Sequence, residues 1–524
     1  MDRFNDSENE KEELNEKILS AIGDIRYGSV EIFIHDSNGG IMMRRDMAVP
    51  ENRRSLTNNR IKNQEKNIMR NFRFIAAIIF AWIGFGFMPP AFSAEGNVEE
   101  EGGTVEDRVN RLDQKVRIIE RRFELQQEGA AEKGKGSPVT GAGRDGFLIK
   151  SADDQFQLRF RGVIQADERF LHPGTDTFVL SRVRPTLEGT LYRSFDFKFV
   201  PDFGLGKTVI QDAYFIIRFH PDLNAQFGKT KAPFGLERLQ ADTDLRFVER
   251  ALPTDLVPNR DIGVEIHSDL PDGLFNYALG IFNGVPDGGS ADIDGNDNKE
   301  VVGRVFLHPF KRLGLEALQG FGIGLAASYG VARGTPAASD LPTYATVGQQ
   351  VFFRYRSGTT PAATALADGV RFRTSPQAYY YWGPFGITGE YVVSSQKVRR
   401  DPAAAKLKNS AWQASASYLL TGEKNSYGSV SPIRPFDPPS GKWGAFEIAA
   451  RYSVLTVDPD AFPTFSDPAL SAREARAVAA GLNWYLNKTV KFMLEYELTG
   501  FKGGAAAGDR DKEKAILGRS QIAF

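Results

Sequence analysis

The carboxy-terminal stretch Ala515-Ile-Leu-Gly-Arg-Ser-Gln-Ile-Ala-Phe524 decides the fold. Side chains alternate between the two faces of an extended segment, so Ile516 and Ile522 share a face with Phe524, whereas Arg519 lies on the other. A strand with one apolar and one polar face suits a membrane barrel, in which the last strand pairs with the first and removes the open edge. A terminal strand of a soluble sandwich would alternate in the same way, so the decision depends on the preceding chain.

Composition narrows the fold class. The 524 residues are 41% hydrophobic, with a mean hydropathy of -0.32, which is too polar for a helical membrane protein with recurring apolar runs. Fifty-two glycines and 11% aromatic residues are typical of an antiparallel all-β protein with many turns and aromatic membrane boundaries. The absence of cysteine excludes disulfides and thiolate metal sites. We expect no metal, no cofactor and no nucleic-acid partner.

The first part of the chain predicts export. Residues 1–68 are charged with little periodic apolar pattern, and we interpret them as an unassigned extension, with the hypothesis that they are not translated. Residues 69–94 form a signal peptide, with a basic start, an apolar run from Phe74 to Met88, and small residues at the cleavage zone. An uncleaved membrane anchor is the alternative, although the run is short and two prolines follow it.

A short helix is predicted next, over residues 99–128. Apolar residues recur there at alternating spacings of four and three, which is the seam of a coiled coil: Val105, Val109, Leu112, Val116, Ile119 and Phe123. The helix could lie on a domain surface, but residues 129–146 form a Gly-rich, charged linker with no core to receive it. We therefore favour an oligomerising stalk.

Residues 147–524 contain the barrel strands. Segments of alternating character recur between turn residues, as in Phe156 to Arg161 and Phe492 to Leu498. Aromatic residues lie near the ends of the apolar stripes, as in Tyr379 to Trp382, which matches an interfacial girdle. We count roughly sixteen to eighteen such segments and predict an all-β, transmembrane antiparallel β-barrel of about sixteen strands in the bacterial outer membrane, surrounded by lipid.

Four predicted strands carry two arginines that flank one apolar residue. Both guanidinium groups of each pair would share the polar, lumenal face, and arginines lining a pore attract anions. The pairs are Arg159 with Arg161, Arg182 with Arg184, Arg354 with Arg356, and Arg371 with Arg373. The alternative is that carboxylates such as Glu188, Glu447 and Glu495 balance these charges, which would leave a weakly selective general porin.

Several ordered motifs resemble the phosphate-selective porin O and P family, and the likeness covers Phe147 to Phe524. The motifs are Gly228-Lys-Thr-Lys-Ala-Pro-Phe-Gly-Leu-Glu237, Gly383-Pro-Phe-Gly386, Gly389-Glu-Tyr391, Ala416-Ser-Tyr-Leu-Leu-Thr-Gly-Glu423, Trp443-Gly-Ala-Phe-Glu447, Gly481-Leu-Asn-Trp-Tyr-Leu-Asn487 and Arg519-Ser-Gln-Ile-Ala-Phe524. The resemblance implies a sixteen-stranded, homotrimeric porin whose third loop folds into the lumen. It also implies that basic residues bind anions such as phosphate or polyphosphate.

The resemblance places the third loop from Arg238 to about Asn259. This loop also holds Asp242 and Asp244 and lacks a cluster of Ser and Lys, so the sequence leaves phosphate open as the particular anion. The predicted channel-lining set comprises Arg159, Arg161, Arg182, Arg184, Arg218, Arg238, Arg246, Arg250, Arg354, Arg356, Arg371, Arg373 and Arg519.

A hydrolase and a structural tether are the alternatives to a porin from other classes of function. A barrel-embedded hydrolase would need a nucleophile beside a base, and His267 is the candidate base, but no nucleophile motif accompanies it. A structural cell-envelope tether would use the stalk to bind the cell wall. We expect a non-enzymatic porin for passive diffusion of small anions.

Overall fold

The computed structural model describes residues 32–34, 41–43, 113–122, 124, 138–143, 145–268, 270, 273–295 and 297–524. The predicted signal peptide lies outside the described residues. In the amino-terminal unit, β1 (Ile32–Ile34) pairs antiparallel with β2 (Ile41–Met43). Residues 113–122, inside the predicted stalk, are helical, and Arg117 forms an ion pair with Asp113 one turn away, at 3.0 Å. Self-association of this helix stays a prediction.

No helix among the described residues has the length and apolar composition needed to span a membrane.

Two short strands precede the barrel, β3 (Val139–Gly143) and β4 (Gly146–Lys150). The first of them lies in the second half of the predicted linker. All five residues of β3 are exposed, so this strand is held by its backbone pairing with β4 rather than by burial of side chains. A Gly-rich stretch can pair in this way because the hydrogen bonds of a strand pair involve only the main chain.

Sixteen antiparallel strands close into a barrel, which confirms the predicted fold class. They are β5 (Phe156–His172), β6 (Thr177–Leu191), β7 (Phe195–Asp202), β8 (Val209–His220), β9 (Leu223–Lys231), β10 (Arg260–His267), β11 (Phe275–Phe282), β12 (Glu300–Leu307), β13 (Phe321–Arg333), β16 (Leu366–Trp382), β17 (Phe385–Arg400), β18 (Ala403–Leu419), β19 (Ala445–Thr456), β20 (Ala472–Tyr485), β21 (Val490–Ala505) and β23 (Glu513–Ala523). Two further strands, β14 (Thr343–Ala345) and β15 (Val351–Arg354), form a separate hairpin in a loop, and β22 (Gly508–Asp509) extends β21.

The last strand closes the barrel against the first, as predicted. Strand β23 pairs antiparallel with β5 in a register that places Ile522 opposite Ile164. Beyond the strand, Phe524 and Gly162 exchange two main-chain hydrogen bonds, of 2.9 and 3.0 Å. A side chain at position 162 would lie 2.7 Å from the Phe524 ring, so the close approach requires glycine. Where β23 ends, β4 takes over the pairing with the first part of β5, and Phe147 packs edge-on against Phe524.

The two faces of the barrel are inverted relative to a soluble protein. Large apolar side chains such as Phe178, which is 74% exposed, cover the outside. Charged side chains such as Arg519 and Glu447 are buried inside. A barrel in lipid requires this arrangement, because its outer surface meets hydrocarbon and its lumen is polar.

The barrel has two different ends. At the end where Phe524 lies, which we call the Phe524 end, most turns are short, such as 192–194 between β6 and β7. At the opposite end, which we call the loop end, long connections span 232–259, 283–299 and 334–365. The last of these folds inward, and its aromatic residues Tyr344, Phe352 and Phe353 are almost completely buried against residues of segment 232–259, including Phe234 and Leu256.

One long connection at the Phe524 end was not predicted. Residues 420–444 join β18 to β19, and we call them the inner segment because part of the segment enters the lumen. Tyr427 donates from its hydroxyl to the carbonyl oxygen of Leu236 at 2.5 Å, and Gln240 donates to the carbonyl oxygen of Tyr427 at 2.7 Å. The lumen is therefore narrowed from both ends.

Candidate permeation site

Segment 232–259 narrows the barrel from within, and we call it the third loop. It joins β9 to β10 and contains one helical turn, Leu236–Leu239, and one 3-10 turn, Leu252–Leu256. Gly235 precedes the helical turn with a φ of 78°, a conformation that glycine adopts without strain. Val248, farther along the loop, packs against the barrel wall in a small buried apolar cluster. The apolar contacts fix the loop inside the lumen.

Basic side chains of the wall bind the main chain of this loop. Lys491 donates to the carbonyl oxygens of Thr243 and Leu245 at 3.0 and 2.9 Å. Arg451 donates to the carbonyl oxygen of Glu249 at 2.9 Å. A loop inside a barrel leaves main-chain groups without helix or sheet partners, and buried groups of this kind must be hydrogen-bonded elsewhere. The wall lysine and arginine meet that requirement.

Wall carboxylates bind the amide groups of the same loop. Glu495 accepts a hydrogen bond from the Val248 amide at 2.7 Å, and Glu390 accepts one from the Leu236 amide at 2.7 Å. The loop is thus attached through its carbonyl oxygens to basic residues and through its amides to acidic residues. Charged side chains of both signs are needed to hold it, which accounts for carboxylates inside a predicted anion channel.

Asp242 is the centre of one cluster of arginines. Arg250 approaches it at 2.6 Å, Arg182 at 3.6 Å, and Arg184 forms a further ion pair with it. Burial alone would raise the pKa of Asp242, but the three guanidinium groups outweigh burial and hold this pKa well below its ordinary range. The carboxylate is therefore ionised, and it compensates part of the positive charge of the predicted arginines.

Arg519 belongs to a second ion-paired cluster. Its Nε and Nη2 atoms donate to the two carboxylate oxygens of Asp167 at 2.6 and 2.8 Å, a bidentate geometry that suits the guanidinium fork. Arg169 contacts the same Asp167 at 3.0 Å and also Glu249 at 3.1 Å. Glu249 lies 3.4 Å from Arg519. Arg519 thus faces the lumen as predicted, but it is compensated by carboxylates of the wall and the third loop.

Strands β19 and β21, the second of which pairs with β23, carry a third ion-paired cluster. Arg451 lies 3.2 Å from Glu495 and 3.0 Å from Glu497, and all three side chains are at most 2% exposed. Arg246 of the third loop pairs with Glu447 at 3.0 Å. Glu447 and Glu495 are among the carboxylates that the alternative of charge balance invoked, so the structure gives that alternative a physical basis.

Two of the predicted arginine pairs lie toward the loop end. Arg371 pairs with Asp340 at 2.6 Å, and Arg373 is fully buried between Asp287 at 2.6 Å and Glu300 at 2.5 Å. Arg354 ends the loop hairpin at β15 and Arg356 follows it, so neither lies on a barrel strand. The sequence pattern did not distinguish a loop hairpin from a wall strand because both alternate with period two.

The remaining predicted arginines occupy different positions. Arg159 and Arg161 lie near the Phe524 end, at 3.9 and 3.5 Å from Glu188. Arg218 is 44% exposed and forms an ion pair with Asp196. Arg238 donates to the carbonyl oxygen of Thr254 at 2.9 Å. Burial, together with neighbouring Arg250 and Arg260, lowers the pKa of Arg238 to about 10, so this residue remains charged near neutral pH.

A cavity of about 640 Å³ lies between the third loop and the Phe524 end, and we call it the main cavity. Eight basic side chains line it, against four acidic ones, so its walls carry an excess of positive charge. The basic residues are Arg161, Arg184, Lys198, Lys231, Arg246, Arg260, Lys488 and Lys491, and the acidic residues are Asp145, Asp212, Asp242 and Asp244.

Three lysines at this cavity differ from the paired arginines. Lys231 donates to the carbonyl oxygen of Gln240 at 3.0 Å, and Lys491 binds two carbonyl oxygens. Among the described residues, no carboxylate lies within 4 Å of the amino group of Lys231, Lys488 or Lys491. A carbonyl oxygen carries only a partial charge, so it compensates a lysine charge less than a carboxylate would.

The sequence held a signal for the lysines but none for the inner segment. Lys231 stands in the quoted Gly228 to Glu237 motif, and Lys491 alternates with the apolar residues of β21. The inner segment is only a long connection in the sequence. Tyr379, predicted for the outer girdle, instead faces the lumen and stacks on Tyr427 of that segment at 5.4 Å.

The comparisons with known proteins agree with the barrel. The family model described as "Phosphate-selective porin O and P" matches residues 155–524. A model described as "Uncharacterized small protein (DUF2292)" matches residues 14–38. Among curated proteins, Porin O of Pseudomonas aeruginosa is 25% identical over 396 residues, covering 67% of this chain and 85% of that protein.

Solved outer-membrane proteins show more distant likeness. OmpT of Vibrio cholerae is 12% identical with a TM-score of 0.47, covering 72% of this chain and 100% of that one. The outer membrane channel DcaP of Acinetobacter baumannii is 10% identical with a TM-score of 0.47, covering 72% and 99%. An anion-selective porin from Comamonas acidovorans is 12% identical with a TM-score of 0.44, covering 70% and 100%.

Proposed function

Because the chain belongs to the phosphate-selective porin O and P family, we propose that its lumen is a passive diffusion path for small anions. The chain is an outer-membrane porin. Its Phe524 end then faces the periplasm, and its loop end faces the outside. Anions would pass the third loop and the main cavity, where the cations that lack carboxylate partners set the preference.

The positive excess of the main cavity carries this proposal. Lys231 and Lys491 lie beside the third loop, where the path is narrow, and each is bound only to neutral oxygens. A charge about 8 Å from a permeating ion changes its barrier by about 1 kcal/mol at an effective dielectric constant of about 40. That is about fivefold in the permeability of one ion, and an ion of opposite charge changes the other way, so the permeability ratio changes by at least about fivefold. One lysine charge without a carboxylate partner therefore suffices for anion preference, even where carboxylates compensate the arginines.

Reversal potentials across planar bilayers with a gradient of potassium chloride test the proposal. The wild-type protein should favour chloride, and Lys231→Gln together with Lys491→Gln, which removes two charges, should lower the chloride-to-potassium permeability ratio by more than about fivefold. Lys514→Gln removes the same charge from the outer face of β23 and serves as the matched control. The difference should shrink in about 1 M salt, where the screening length is about 3 Å.

A reversal potential that favours potassium in the wild-type protein would overturn anion preference. An unchanged ratio in the double lysine variant would remove these two residues from the conducting path. Phosphate can be tested separately, because phosphate that fails to reduce the chloride current would argue against a phosphate site while leaving anion preference intact.

A weakly selective general porin is the second candidate function. The observation that favours it is the pairing of Arg182, Arg184, Arg451 and Arg519 with lumenal carboxylates. Under this alternative the clusters form local fields of both signs, and neutral solutes of similar size should permeate as fast as anions. Swelling of vesicles in neutral sugars and in anionic sugars separates the two functions.

The hydrolase alternative depends on His267, which lies at the end of β10. Members of a porin family act as channels, and we infer that His267 has no catalytic role. Ester hydrolysis by the purified protein that is lost in His267→Ala would contradict this inference.

We also propose a homotrimer with an exported chain that begins after residue 94. The predicted stalk, residues 99–128, supports self-association through its apolar seam. The match of residues 14–38 to a separate small protein supports the interpretation that residues 1–68 are not part of the porin. The mass of the native protein in detergent tests the trimer, and amino-terminal sequencing tests the cleavage. A mature chain that retains residues 2–67 would refute the second proposal.

A further inference from the structure

A second cavity branches from the lumen beside the main cavity. Its volume is about 360 Å³, and we call it the side cavity. Lys231 and Leu239 line both cavities, so the side cavity adjoins the proposed anion path. Pockets that bind small organic molecules typically begin at about 300 Å³. The side cavity is therefore large enough for a molecule with a single ring.

One wall of the side cavity is aromatic. Phe306 lies 5.0 Å from Tyr379, measured between ring centroids, and Tyr379 stacks on Tyr427 at 5.4 Å. His308 fixes the orientation of Tyr379 through a 2.7 Å contact between its Nε2 atom and the tyrosine hydroxyl. Burial lowers the pKa of His308, which favours the neutral ring near neutral pH. Phe306 is only 3% exposed and supports Tyr379, so the half-buried rings of Tyr379 and Tyr427 present the aromatic surface of this wall, without adding a charge.

Arg304 supplies a positive charge at the edge of this aromatic wall. Its guanidinium carbon lies 4.6 Å from the centroid of the Phe306 ring, and its Nε atom donates to the side-chain oxygen of Gln377 at 3.1 Å. Among the described residues, no carboxylate lies within 4 Å of Arg304, and its two terminal nitrogens make no hydrogen bond. This arginine differs from those at the third loop, since its fork is available to a bidentate acceptor.

The charge of the side cavity favours a monoanion. Arg304 and Lys231 face one carboxylate, that of Glu265, among the residues that line the cavity. One net positive charge is matched by a single carboxylate of a ligand. An arginine fork and a planar carboxylate form two parallel hydrogen bonds, while an aromatic ring gains further by packing against other rings.

We propose that the side cavity binds monocyclic aromatic carboxylates, with the carboxylate on Arg304 and the ring against Tyr379. This inference rests on the proposed anion path for access to the cavity. It extends that function from small inorganic anions to one class of organic anion, held by shape and ring contacts as well as by charge.

Reduction of the chloride current in planar bilayers by added carboxylates tests the inference. Benzoate should reduce the current at about tenfold lower concentration than acetate, because the ring adds roughly 1 to 1.5 kcal/mol to the interaction of the charge. Cyclohexanecarboxylate has the same charge and a similar size but no aromatic face. The concentration at which it reduces the current should lie between those of benzoate and acetate. Equal effects of the three carboxylates would overturn the proposal.

Variants separate the contribution of the Arg304 charge from that of the aromatic ring contact. Arg304→Gln keeps a polar side chain beside Gln377 but removes the charge. It should raise the benzoate concentration that reduces the chloride current by about tenfold. Tyr379→Leu should remove the advantage of benzoate over cyclohexanecarboxylate and leave the acetate concentration unchanged. Arg312→Gln removes an exposed charge from the turn at the same end of the barrel and is the matched control. An unchanged benzoate effect in Arg304→Gln would refute the site.

Two measurements separate failure of the side-cavity proposal from failure of the proposed anion path and from misfolding of a variant. The reversal potential of each variant in potassium chloride reports the anion preference, which depends on the main cavity. A chloride-selective wild-type channel without a benzoate effect would overturn only the side cavity, whereas a potassium-selective channel would overturn the proposed function itself. Heat-dependent migration on gels shows that each variant is folded, and Arg304→Lys, which should retain part of the benzoate effect, separates loss of charge from loss of folding.

Discussion

Arg519 and Lys491 both enter the lumen beside the third loop and are both almost completely buried, yet their partners differ. Arg519 is bound through two hydrogen bonds to the carboxylate of Asp167. Lys491 is bound to two main-chain carbonyl oxygens. The first arrangement pairs a guanidinium with a carboxylate and joins wall to wall, whereas the second has no carboxylate partner and holds the loop. Basic residues in this lumen therefore have two roles, and the partner rather than the residue type decides which.

The same contrast separates two regions of the lumen. At the third loop, Asp242 and Glu249 gather arginines from the wall. Around the main and side cavities, Lys231 and Arg304 bind neutral oxygens. We interpret the first region as structural and the second as the source of selectivity. Variants in the two regions should consequently change different properties of the protein.

The largest effect is expected from Arg451→Ala. Removal of this guanidinium leaves Glu495 and Glu497 close together, buried and without their cation. Loss of one partner of a buried ion pair costs about 3 to 5 kcal/mol. The free energy of unfolding, measured with urea in lipid vesicles, should fall by that amount.

Lys491→Met is the matched comparison for this measurement. Here two carbonyl oxygens lose one donor, and the expected loss is about 1 to 3 kcal/mol. Adding Glu495→Gln and Glu497→Gln to Arg451→Ala should recover part of the stability. Equal losses of unfolding free energy in Arg451→Ala and Lys491→Met would contradict the distinction between basic residues bound to carboxylates and basic residues bound to carbonyl oxygens.

A second prediction concerns the two aspartates of the third loop. Asp242→Asn and Asp244→Asn each remove one negative charge from the main cavity, so both should raise the chloride-to-potassium permeability ratio by about fivefold. Only Asp242 is paired with Arg182, Arg184 and Arg250. The open-channel current should therefore become noisier in Asp242→Asn alone, because only that change breaks the ion pairs of the loop with the wall residues Arg182 and Arg184.

Single-channel recordings at about 0.1 M salt check this prediction, since screening is moderate there. Similar noise in both aspartate variants would show that Asp242 does not hold the loop. A permeability ratio that rises in neither variant would place the main cavity outside the ion path.

Much of the fold could be predicted from the sequence because it follows from local alternation. The pattern of β23 and the pairing of its residues with β5 require only period two and barrel closure, so the faces of Ile516 and Arg519 were assigned correctly. The pattern fails where a loop also alternates, as at Arg354. It carries no signal for a long connection that turns into the lumen, which is why Tyr427 was not anticipated.

The site was harder to predict because it depends on partners distant in sequence. Arg519 and Asp167 are separated by 352 positions, and only their register across the closing strands brings them together. Arginine was chosen as the anion-binding residue on chemical grounds, which are sound. The same chemistry makes arginine the preferred partner of buried carboxylates, so residue type alone could not separate the compensated arginines from the lysines at the main cavity.

The smallest effect is expected from Arg218→Gln, although Arg218 was predicted to line the channel. Its side chain is 44% exposed at the Phe524 end, where it pairs with a partly exposed Asp196. Exposed ion pairs contribute about 0.2 to 1 kcal/mol, and solvent screens the charge from the narrow part of the path. We therefore expect the free energy of unfolding to fall by less than about 1 kcal/mol, with no measurable change in the permeability ratio. Lys491→Gln, the same loss of charge at a buried position, gives the contrast. A larger change in the permeability ratio from Arg218→Gln than from Lys491→Gln would place the selective region at the periplasmic rim instead of beside the third loop. An exposed charge can dominate ion selectivity only if the narrow part of the lumen adds no larger energy barrier to permeation.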